Sequence, residues 1–472
     1  MTTALSQIIK DSGIAFGTSG ARGLVTQFTP EVCAAFTQSF LQLMQQGFSF
    51  NAIALGIDNR PSSPDIAASC AGIAKAMGFA VHYYGVLPTP ALALQAMADG
   101  MPAIMVTGSH IPFDRNGIKF YRPDGEISKA DEQQILSQSN SLNAFSPLPM
   151  PVEGRAANTY LQRYLDMCSP QLFAGKHIGI YEHSSSGREL YHQLFSQLGA
   201  KVTRLEATEH FVPIDTEAVS NEDQQKAWRW SAQYGFDAIF STDGDGDRPL
   251  IADETGTWLR GDTVGLLCAK ALNIQALAVP VNANSAIDLT GAFNKVLRTR
   301  IGSPYVIAGM QQLVGVYPSV GGFEANGGFL LATDLQLNGN TLKALPTRDA
   351  LLPFIAILQQ AGKQPLSQLT QALPQRFTAS QRVQHIAAAM SQPLLAEAAA
   401  EPQALLKRLG NTQMMVEAVD VTDGVRLTLQ DETIVHLRAS GNAPELRIYT
   451  EAASQEQAEQ LANRLQQQLQ NW

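Results

Sequence analysis

Short apolar runs alternate with longer helical stretches along the first third of the chain. Residues 52–57, 80–84 and 103–106 are rich in apolar and aromatic side chains, and each run predicts a buried strand. Residues 64–77 and 91–98, which lie between these runs, have the length and composition of helices. This alternation predicts βαβ units and a parallel sheet.

The same alternation returns twice further along the chain. Residues 177–181 and 237–240 predict strands of a second unit. A third unit runs from about residue 253 to residue 361, with predicted strands at 276–281 and 328–332. The sequence therefore predicts three α/β units in succession.

The last quarter of the chain follows a different pattern. Residues 364–409 are rich in Gln and Ala, which predicts helices and a junction. From residue 412 onwards, alternating strands precede a final helix that begins near Ser454. This order predicts an α+β unit.

Length and proline punctuation suggest how the chain divides into domains. At 472 residues it exceeds what one hydrophobic core usually supports, since domains contain roughly 100–200 residues. The closely spaced Pro147, Pro149 and Pro151 indicate a linker. We predict four domains, at residues 1–150, 151–254, 255–368 and 369–472.

Charge and composition argue against a nucleic-acid-binding, secreted or membrane-spanning protein. The net charge is −9 and no basic run occurs, so a nucleic-acid-binding surface is not expected. The first eleven residues lack the basic and apolar parts of a secretory signal, and no run of about 18 apolar residues occurs. We therefore expect a soluble, cytoplasmic protein that binds neither nucleic acid nor membrane, with no evident obligate protein partner. Four widely spaced cysteines are expected to be reduced and to pack in the core: Cys33, Cys70, Cys168 and Cys268.

A serine follows the third predicted strand. Ser109 comes after a glycine and before His110, and Lys119 lies ten residues further on. Chemistry in α/β proteins is usually placed at strand ends, so Ser109 could be a nucleophile or a phosphate carrier. A plain turn or helix-capping serine is the alternative.

Three aspartates follow the strand predicted at 237–240. Asp243, Asp245 and Asp247 alternate with glycines, so a short loop can bring their oxygens together around one hard cation, for which Mg²⁺ is suited. Without a cation, carboxylates packed so closely would repel one another. A solvated acidic turn is the alternative without metal.

A calcium-binding EF-hand loop is a second alternative for these aspartates. They occupy positions one, three and five of that motif, and Glu254 falls at position twelve. Position six, however, holds Arg248 instead of glycine, and a strand precedes the loop where the motif needs a helix. We therefore favour magnesium.

Two further loops have side chains suited to a sugar phosphate. Residues 321–328 place Glu324 and Asn326 among glycines, and such side chains bind sugar hydroxyls. Residues 438–447 combine two arginines with a hydroxyl and a glycine, which suits a phosphate dianion. A turn between two strands is the alternative for either loop.

Taken in order, these motifs resemble those of the α-D-phosphohexomutases, the phosphomannomutase and phosphoglucomutase superfamily. The resemblance extends from residue 16 to about residue 451. Its motifs are FGTSGARG, GIDNRPSS, GVLPTPA, TGSHIP with NGIK, DGDGDR, GFEANGG and RASGNAPELR.

The resemblance implies a fold and a reaction. Family members have three similar mixed α/β domains and a smaller α+β C-terminal domain around a central cleft. They interconvert hexose 6-phosphates and hexose 1-phosphates through a phosphoserine and a hexose 1,6-bisphosphate. The cofactors implied are one Mg²⁺ per chain and hexose 1,6-bisphosphate as activator, and the partner is a small hexose phosphate.

The resemblance also assigns residues. The phosphoserine would be Ser109, which with Asp243, Asp245 and Asp247 would bind the metal. The other catalytic residues would be Arg22, His110, Lys119 and Arg248, with Lys119 as general acid or base. Substrate would be held by Glu324, Asn326, Arg438, Ser440, Gly441, Asn442 and Arg447.

The sequence leaves alternatives for the sugar that is bound and for the class of protein. The loop with Glu324 and Asn326 departs from a common bacterial variant, which has Ser and His where this chain has Asn326 and Gly328. The resemblance favours mannose, with a phosphoglucomutase or a bifunctional mutase as alternatives. An aspartate-nucleophile phosphatase would leave the Ser109 and Arg438 loops unexplained, and a catalytically silent sugar-phosphate sensor would need a broken motif.

Overall fold

The structure is a computed structural model. It describes residues 3–17, 19–337, 339–384, 386, 388–410, 414–440 and 445–470. Within this part of the chain, the strands form four larger sheets that follow one another in sequence, and a small ribbon. No helix among these residues is long and apolar enough to cross a bilayer.

The first sheet is flanked by helices and carries the Ser109 loop. Its helices are α1 (Leu5–Ser12), α2 (Pro30–Gly47), α3 (Ser63–Ala76), α4 (Thr89–Ala98) and α5 (Lys129–Leu136). Its strands are β1 (Ala15–Phe16), β2 (Ala21–Leu24), β3 (Ala52–Ile57), β4 (Ala80–Val86), β5 (Ala103–Val106), β6 (Arg115–Arg122) and β7 (Gly125–Glu126). The strand order is β1-β2-β6-β5-β3-β4, with β7 beside β6. Since β3 and β5 are parallel, the loops after both strands leave the sheet at one edge.

The second sheet carries the aspartate loop. Its helices are α6 (Arg155–Met167), α7 (Arg188–Gln197) and α8 (Asn221–Tyr234), and its strands are β8 (His177–Tyr181), β9 (Lys201–Leu205), β10 (Ala238–Thr242) and β11 (Pro249–Ala252). The order is β11-β10-β8-β9, parallel except for the β10–β11 pair. The loop between β10 and β11 contains the three aspartates.

The third sheet carries the loop with Glu324. Its helices are α9 (Gly261–Ala271), α10 (Ala286–Leu289), α11 (Ser303–Leu313), α12 (Leu351–Ala361) and α13 (Leu366–Gln371). Its strands are β12 (Ala276–Pro280), β13 (Lys295–Thr299), β14 (Val320–Phe323), β15 (Phe329–Leu331) and β18 (Leu345–Asp349), while β16 (Leu335–Leu337) and β17 (Asn340–Leu342) form the ribbon. The sheet order is β13-β12-β14-β15-β18. The Glu324 loop therefore joins two adjacent antiparallel strands, β14 and β15.

The last sheet is antiparallel throughout and carries the arginine loop. Its strands are β19 (Phe377–Gln384), β20 (Val416–Asp420), β21 (Val425–Leu429), β22 (Ile434–Ala439) and β23 (Glu445–Ala452), and its helices are α14 (Ala388–Ala400), α15 (Pro402–Arg408) and α16 (Gln455–Gln470). The order is β19-β23-β22-β21-β20. This α+β unit differs from the three units before it.

The predicted fold class is confirmed, with corrections to individual elements. Predicted strands at 52–57, 103–106 and 177–181 coincide with β3, β5 and β8. The prediction of only helices and a junction for residues 364–409 is wrong, because β19 lies inside that stretch. Its pairing with β23 along its whole length, more than any local pattern, stabilises this strand. The four domain boundaries stay predictions.

Aromatic packing joins the second and third units. On α12, the ring of Phe354 lies 4.7 Å from Phe240, 4.9 Å from Phe195 and 6.2 Å from Phe173, measured between centroids. These rings belong to a core cluster with members from residue 52 to residue 373. The first three sheets therefore share one apolar core, which limits their movement, while the last sheet has a core cluster of its own. The four cysteines are buried and free, as predicted.

We expect Phe354→Ala to destabilise the protein by about 3–5 kcal/mol, because it leaves a cavity among three other rings. The measurement is urea unfolding followed by intrinsic fluorescence. Val316→Ala is the control, since Val316 is 68% exposed and should change stability by less than about 0.5 kcal/mol. Equal stability of the two variants would contradict a shared core.

Candidate active site

Ser109 lies at the carboxyl end of β5 in an unusual backbone conformation. Its φ is +55°, in the left-handed region that residues other than glycine rarely adopt. The side chain is buried, and Oγ donates a 2.5 Å hydrogen bond to Oδ2 of Asp243. Oγ also lies 3.3 Å from Nδ1 of His110. A buried, strained serine that reaches a carboxylate on another sheet indicates function more than a plain turn.

Buried Arg60 fixes the backbone of the Ser109 loop through several hydrogen bonds. Its guanidinium donates to the carboxylate of Asp58 and to the carbonyl oxygens of four loop residues. The four are Ser109, Ile111, Pro112 and Arg115. Asp58 in turn accepts hydrogen bonds from the Thr107 hydroxyl at 2.7 Å and from the Gly108 amide at 3.3 Å. These contacts balance the strain at Ser109 because they fix the backbone on both sides of it.

The three aspartates converge as predicted. Asp243, Asp245 and Asp247 are fully buried, and each offers an oxygen that lies within 4.8 Å of the oxygens offered by the other two. Oδ1 of Asp245 and Oδ1 of Asp247 have no hydrogen-bond partner among the described residues. Unpartnered buried carboxylate oxygens are costly, so the site fits a hard divalent cation such as Mg²⁺.

The remaining carboxylate oxygens are fixed by donors from other parts of the chain. Oδ2 of Asp245 accepts from the Thr89 hydroxyl at 2.6 Å and from Nζ of Lys119 at 2.5 Å. Oδ2 of Asp247 accepts from Lys119 at 2.7 Å and from two nitrogens of Arg348. In Asp245 and Asp247 one oxygen is therefore held, while the other is left for a ligand; in Asp243 both oxygens accept hydrogen bonds, from Ser109 and from the amide of Arg248.

The surrounding charges act differently on the three carboxylates. Burial and the neighbouring Asp245 and Asp247 raise the pKa of Asp243 well above its usual value. Burial also acts to raise the pKa of Asp247, but Arg348 and Lys119 outweigh it and hold that pKa below the ordinary range. Loss of these cations would leave the aspartate loop with uncompensated negative charge.

The other predicted catalytic residues lie beside Ser109. Nη1 of Arg248 is 3.1 Å from Nδ1 of His110. Burial, together with Arg248 and Arg22, lowers the pKa of His110 to about 2, so the ring is neutral near pH 7. Burial and Arg248 lower the pKa of Arg22 to about 10, and its guanidinium stays charged. The structure therefore brings Arg22, His110, Lys119 and Arg248 to the same place as Ser109.

One arginine, Arg348, connects the loop with Glu324 to the aspartate loop. Oε2 of Glu324 accepts a 2.8 Å hydrogen bond from Arg348, which also contacts Asp247. Asn326 is turned into its own loop, where Oδ1 accepts from the amide of Gly328. Glu324 thus lies beside the metal loop, while a sugar contact by Asn326 stays a prediction.

The predicted phosphate loop lies on the last sheet. Arg438 on β22 and Arg447 on β23 are directly opposite each other, and Arg382 on β19 lies opposite Arg447. Arginines placed opposite one another on neighbouring strands repel each other unless an anion lies between them and neutralises their charge. Arg438 is paired with Asp423, and Arg447 with Glu445. Ser440 follows β22 directly, whereas the predicted Gly441 and Asn442 lie outside the described residues.

Glu217 lies within electrostatic range of both the arginine row and the metal loop. It is on the segment before α8, and burial and Asp215 raise its pKa. Arg447 and Arg248 act on the same carboxylate in the opposite direction.

Sequence reasoning missed several residues of the site. Arg348 and Thr89 were not predicted, Arg382 was not included in the arginine loop, and Arg60 was noted only as part of a glycine and hydroxyl motif. An arginine–aspartate pair at the end of the apolar strand β18 is the signal that could have indicated Arg348. The row formed by Arg382 depends on strand pairing across distant segments, so local sequence does not reveal it.

Comparison with known proteins agrees with this geometry. Residues 13–144, 260–377 and 386–468 match the descriptions "Phosphoglucomutase/phosphomannomutase, alpha/beta/alpha domain I", its "domain III" and its "C-terminal domain". A phosphomannomutase from Salmonella muenchen is 54% identical, with 96% of this chain and 94% of the relative covered. The chain belongs to the phosphoglucomutase/phosphomannomutase family. The family resemblance predicted from sequence is therefore confirmed, and this mutase is an enzyme that transfers phosphoryl groups.

Two further comparisons concern sequence and fold. A phosphomannomutase from Sinorhizobium fredii is 42% identical to this mutase, with 95% of this chain and 97% of the relative covered. The crystal structure of a family protein from Burkholderia thailandensis superposes with a TM-score of 0.77 at 18% identity, covering 99% and 98% of the two chains. The latter likeness shows that the whole four-unit fold is shared.

We expect Arg60→Met to destabilise the mutase by about 3–5 kcal/mol, because it leaves the buried Asp58 carboxylate without its cation. Urea unfolding measures the loss, and hydrogen exchange should increase at the amides of residues 108–111. Adding Asp58→Asn to this variant should restore part of the stability.

Lys343→Met is the control for this prediction. The Lys343–Asp334 pair is solvent-exposed and should contribute no more than about 1 kcal/mol. If Arg60→Met were no less stable than Lys343→Met, Arg60 would not hold the loop.

Proposed function

We propose that this chain is a phosphomannomutase, which interconverts mannose 6-phosphate and mannose 1-phosphate. The observation that carries the proposal is the 2.5 Å contact between the Ser109 hydroxyl and Asp243, at the edge of a carboxylate cluster suited to a divalent cation. Mannose is supported by the two relatives named phosphomannomutase, which are 54% and 42% identical along nearly the whole chain.

Ser109 would carry a phosphoryl group between two positions of the sugar. In the first transfer, the bond between phosphorus and Oγ of Ser109 breaks as a hydroxyl of the sugar monophosphate attacks the phosphorus, which gives a hexose 1,6-bisphosphate. The bisphosphate turns around in the cleft, and its other phosphoryl group returns to Ser109. Added hexose 1,6-bisphosphate would act as activator, since it phosphorylates the unmodified serine.

Each transfer also moves one proton. The attacking hydroxyl loses its proton, and Oγ of Ser109 gains one when the phosphoryl group leaves. Lys119, whose Nζ lies between Asp245 and Asp247, is the proposed group that exchanges these protons. Neutral His110 and the cations Arg22 and Arg248 would contact the phosphoryl oxygens while charge redistributes.

Asp243, Asp245 and Asp247, together with an oxygen of the phosphoserine, would hold one Mg²⁺. Bound there, Mg²⁺ supplies positive charge that withdraws electron density from the phosphoryl group. Thr89, Lys119 and Arg348 hold Oδ2 of Asp245 and of Asp247, which leaves Oδ1 of each carboxylate for the cation. The donor set consists of oxygens alone, which suits Mg²⁺.

The two ends of the substrate would be held by different sheets. Glu324 and Asn326 are the proposed contacts of the sugar hydroxyls. The phosphate that does not react would be bound by Arg438, Ser440, Gly441, Asn442 and Arg447, and we include Arg382 because it lies opposite Arg447. A cytoplasmic location and the absence of an obligate protein partner remain part of the proposal.

We expect the protein, after incubation with a hexose 1,6-bisphosphate, to gain the mass of one phosphoryl group, and peptide mapping to locate it on Ser109. Ser109→Ala should gain no mass and should lose detectable turnover in a coupled assay of mannose 1-phosphate, glucose 1-phosphate and glucosamine 1-phosphate. Ser137→Ala, at an exposed helix end, is the control and should behave like the unmodified protein. Turnover by Ser109→Ala at the rate of the unmodified protein would refute the phosphoserine mechanism.

We expect the two substrate loops to respond differently to substitution. Arg447→Ala should raise KM and lower kcat for every hexose phosphate, because the remote phosphate that positions the reacting hydroxyl is no longer held. Glu324→Gln should change the ratio of kcat/KM between mannose and glucose phosphates, since these sugars differ at one ring carbon. Steady-state kinetics on both sugars measure the two effects.

Arg408→Ala is the control for the arginine variant, because Arg408 lies on α15 of the same unit and pairs with Glu397. It should leave both constants unchanged. A changed sugar ratio in Arg447→Ala, with no change in Glu324→Gln, would mean that the two loops have been assigned the wrong way round.

A further inference from the structure

Arg348 is a fully buried arginine that bridges two loops of the cleft. It lies near the end of β18, next to Asp349. Nε and Nη2 donate to Oδ2 of Asp247 at 3.1 and 2.8 Å, while Nη1 donates to Oε2 of Glu324 at 2.8 Å. Nη2 also lies 3.3 Å from Oγ of Ser19 on the first unit. One side chain thus contacts the second, third and first units at their meeting point.

The geometry of these contacts depends on a guanidinium. The contacts with Asp247 use two nitrogens of one fork, and the contact with Glu324 uses the third nitrogen of the same rigid plane. A displacement of the Glu324 carboxylate therefore rotates or shifts the group that holds Asp247. A lysine would keep the charge but could not hold both carboxylates in a fixed relation.

The position of Asp247 determines what it offers to a cation. Its Oδ2 is taken by Arg348 and Lys119, while its Oδ1 has no hydrogen-bond partner in the described part of the chain and lies 3.5 Å from Nε of Arg248. If the contacts to Oδ2 are weakened, the carboxylate can rotate, which changes the position of Oδ1 relative to Asp243 and Asp245. Groups that orient a ligand in this way commonly affect metal affinity.

We propose that Arg348 is a positioning residue that couples the sugar-hydroxyl loop to the metal loop, so that a hexose bound at Glu324 tightens the binding of the divalent cation at Asp247. The proposal rests on the proposed function, because it takes Glu324 as a contact of the sugar. The coupling is reciprocal, and the cation strengthens hexose binding by the same factor. It would favour the transfer of a phosphoryl group only when a sugar is in place to receive it.

The test measures the binding of Mg²⁺ by equilibrium dialysis, with and without saturating mannose 6-phosphate. For the unmodified protein we expect the sugar phosphate to tighten Mg²⁺ binding by about fivefold or more. Arg348→Lys should bind Mg²⁺ about 10-fold more weakly and should lose this effect of the sugar phosphate. The variant should also change the ratio of kcat/KM between mannose 1-phosphate and glucose 1-phosphate.

Thr89→Val is the matched control. Thr89 donates to the metal-loop carboxylate of Asp245 but makes no hydrogen bond to Glu324 among the described residues, so its loss should weaken Mg²⁺ binding while the sugar effect and the sugar ratio are kept. If Thr89→Val lost the coupling as fully as Arg348→Lys, any disturbance of the metal loop would suffice and the proposal would be overturned. Coupling of unchanged size in Arg348→Lys, or no coupling in the unmodified protein, would overturn it as well.

Glu324→Gln provides a second variant in case Arg348→Lys does not fold, which circular dichroism and thermal unfolding would reveal. This variant keeps Arg348 and the metal loop but weakens the contact between Arg348 and residue 324. It should therefore lose the coupling, while its Mg²⁺ affinity in the absence of sugar phosphate should change little. Retained coupling in this variant would count against the proposal. Failure of the proposed function is distinguishable, because it would appear as no turnover of any hexose phosphate by the unmodified protein. Failure of the coupling alone would leave that turnover intact and would remove only the effect of the sugar phosphate on Mg²⁺ binding.

Discussion

The burial of three aspartates in one loop is the constraint on which the cleft depends. Asp243, Asp245 and Asp247 are withdrawn from water, and carboxylates so close together repel one another. The second unit that carries them does not supply enough compensation by itself. Lys119 comes from the first sheet and Arg348 from the third, and both reach Asp247 at 2.7–2.8 Å. Electrostatic compensation therefore requires the units to be assembled, and the reactive position lies where they meet.

The same dependence applies to Ser109. Its left-handed backbone is unfavourable in isolation, and it persists because Arg60 and Asp58 fix the carbonyls and amides around it. Phe211 of the second unit stacks on the Arg60 guanidinium at 3.8 Å and so covers this support. The strained backbone of Ser109 is thus stabilised by side chains of the first and second units. In the same way, the charge of the aspartates is compensated by side chains of the first, second and third units.

What the sequence could predict follows from how local each signal is. The strands β3, β5 and β8 and the aspartate loop are each encoded by contiguous residues, and their periodicity and spacing indicate them. Ser109 also lies in a contiguous motif, but its role was predicted from the family resemblance of that motif. The strand β19 and the row of Arg382 with Arg447 arise from pairing between segments more than sixty residues apart, so no local pattern indicates them. Arg348 is of the same kind, because its two carboxylate partners are 24 and 101 positions away in sequence. Residues such as Arg348 and Arg382, which lie outside the recognised motifs and act only through pairing with distant segments, are those that local reasoning misses.

The buried charges around Ser109 form a balanced set. The carboxylates are Asp243, Asp245, Asp247 and Glu324, and the cationic side chains are Arg22, Lys119, Arg248 and Arg348. A phosphoryl group on Ser109 would add a charge of about −1.5 to −2, which one divalent cation would offset. With Asp243 ionised, the protein charges are balanced when phosphate and metal are present together. Without the cation, the raised pKa of Asp243 favours its protonated form, and phosphate alone would add excess negative charge to the buried site. This balance gives a physical reason for a phosphoserine and a divalent cation to occupy the site as a pair.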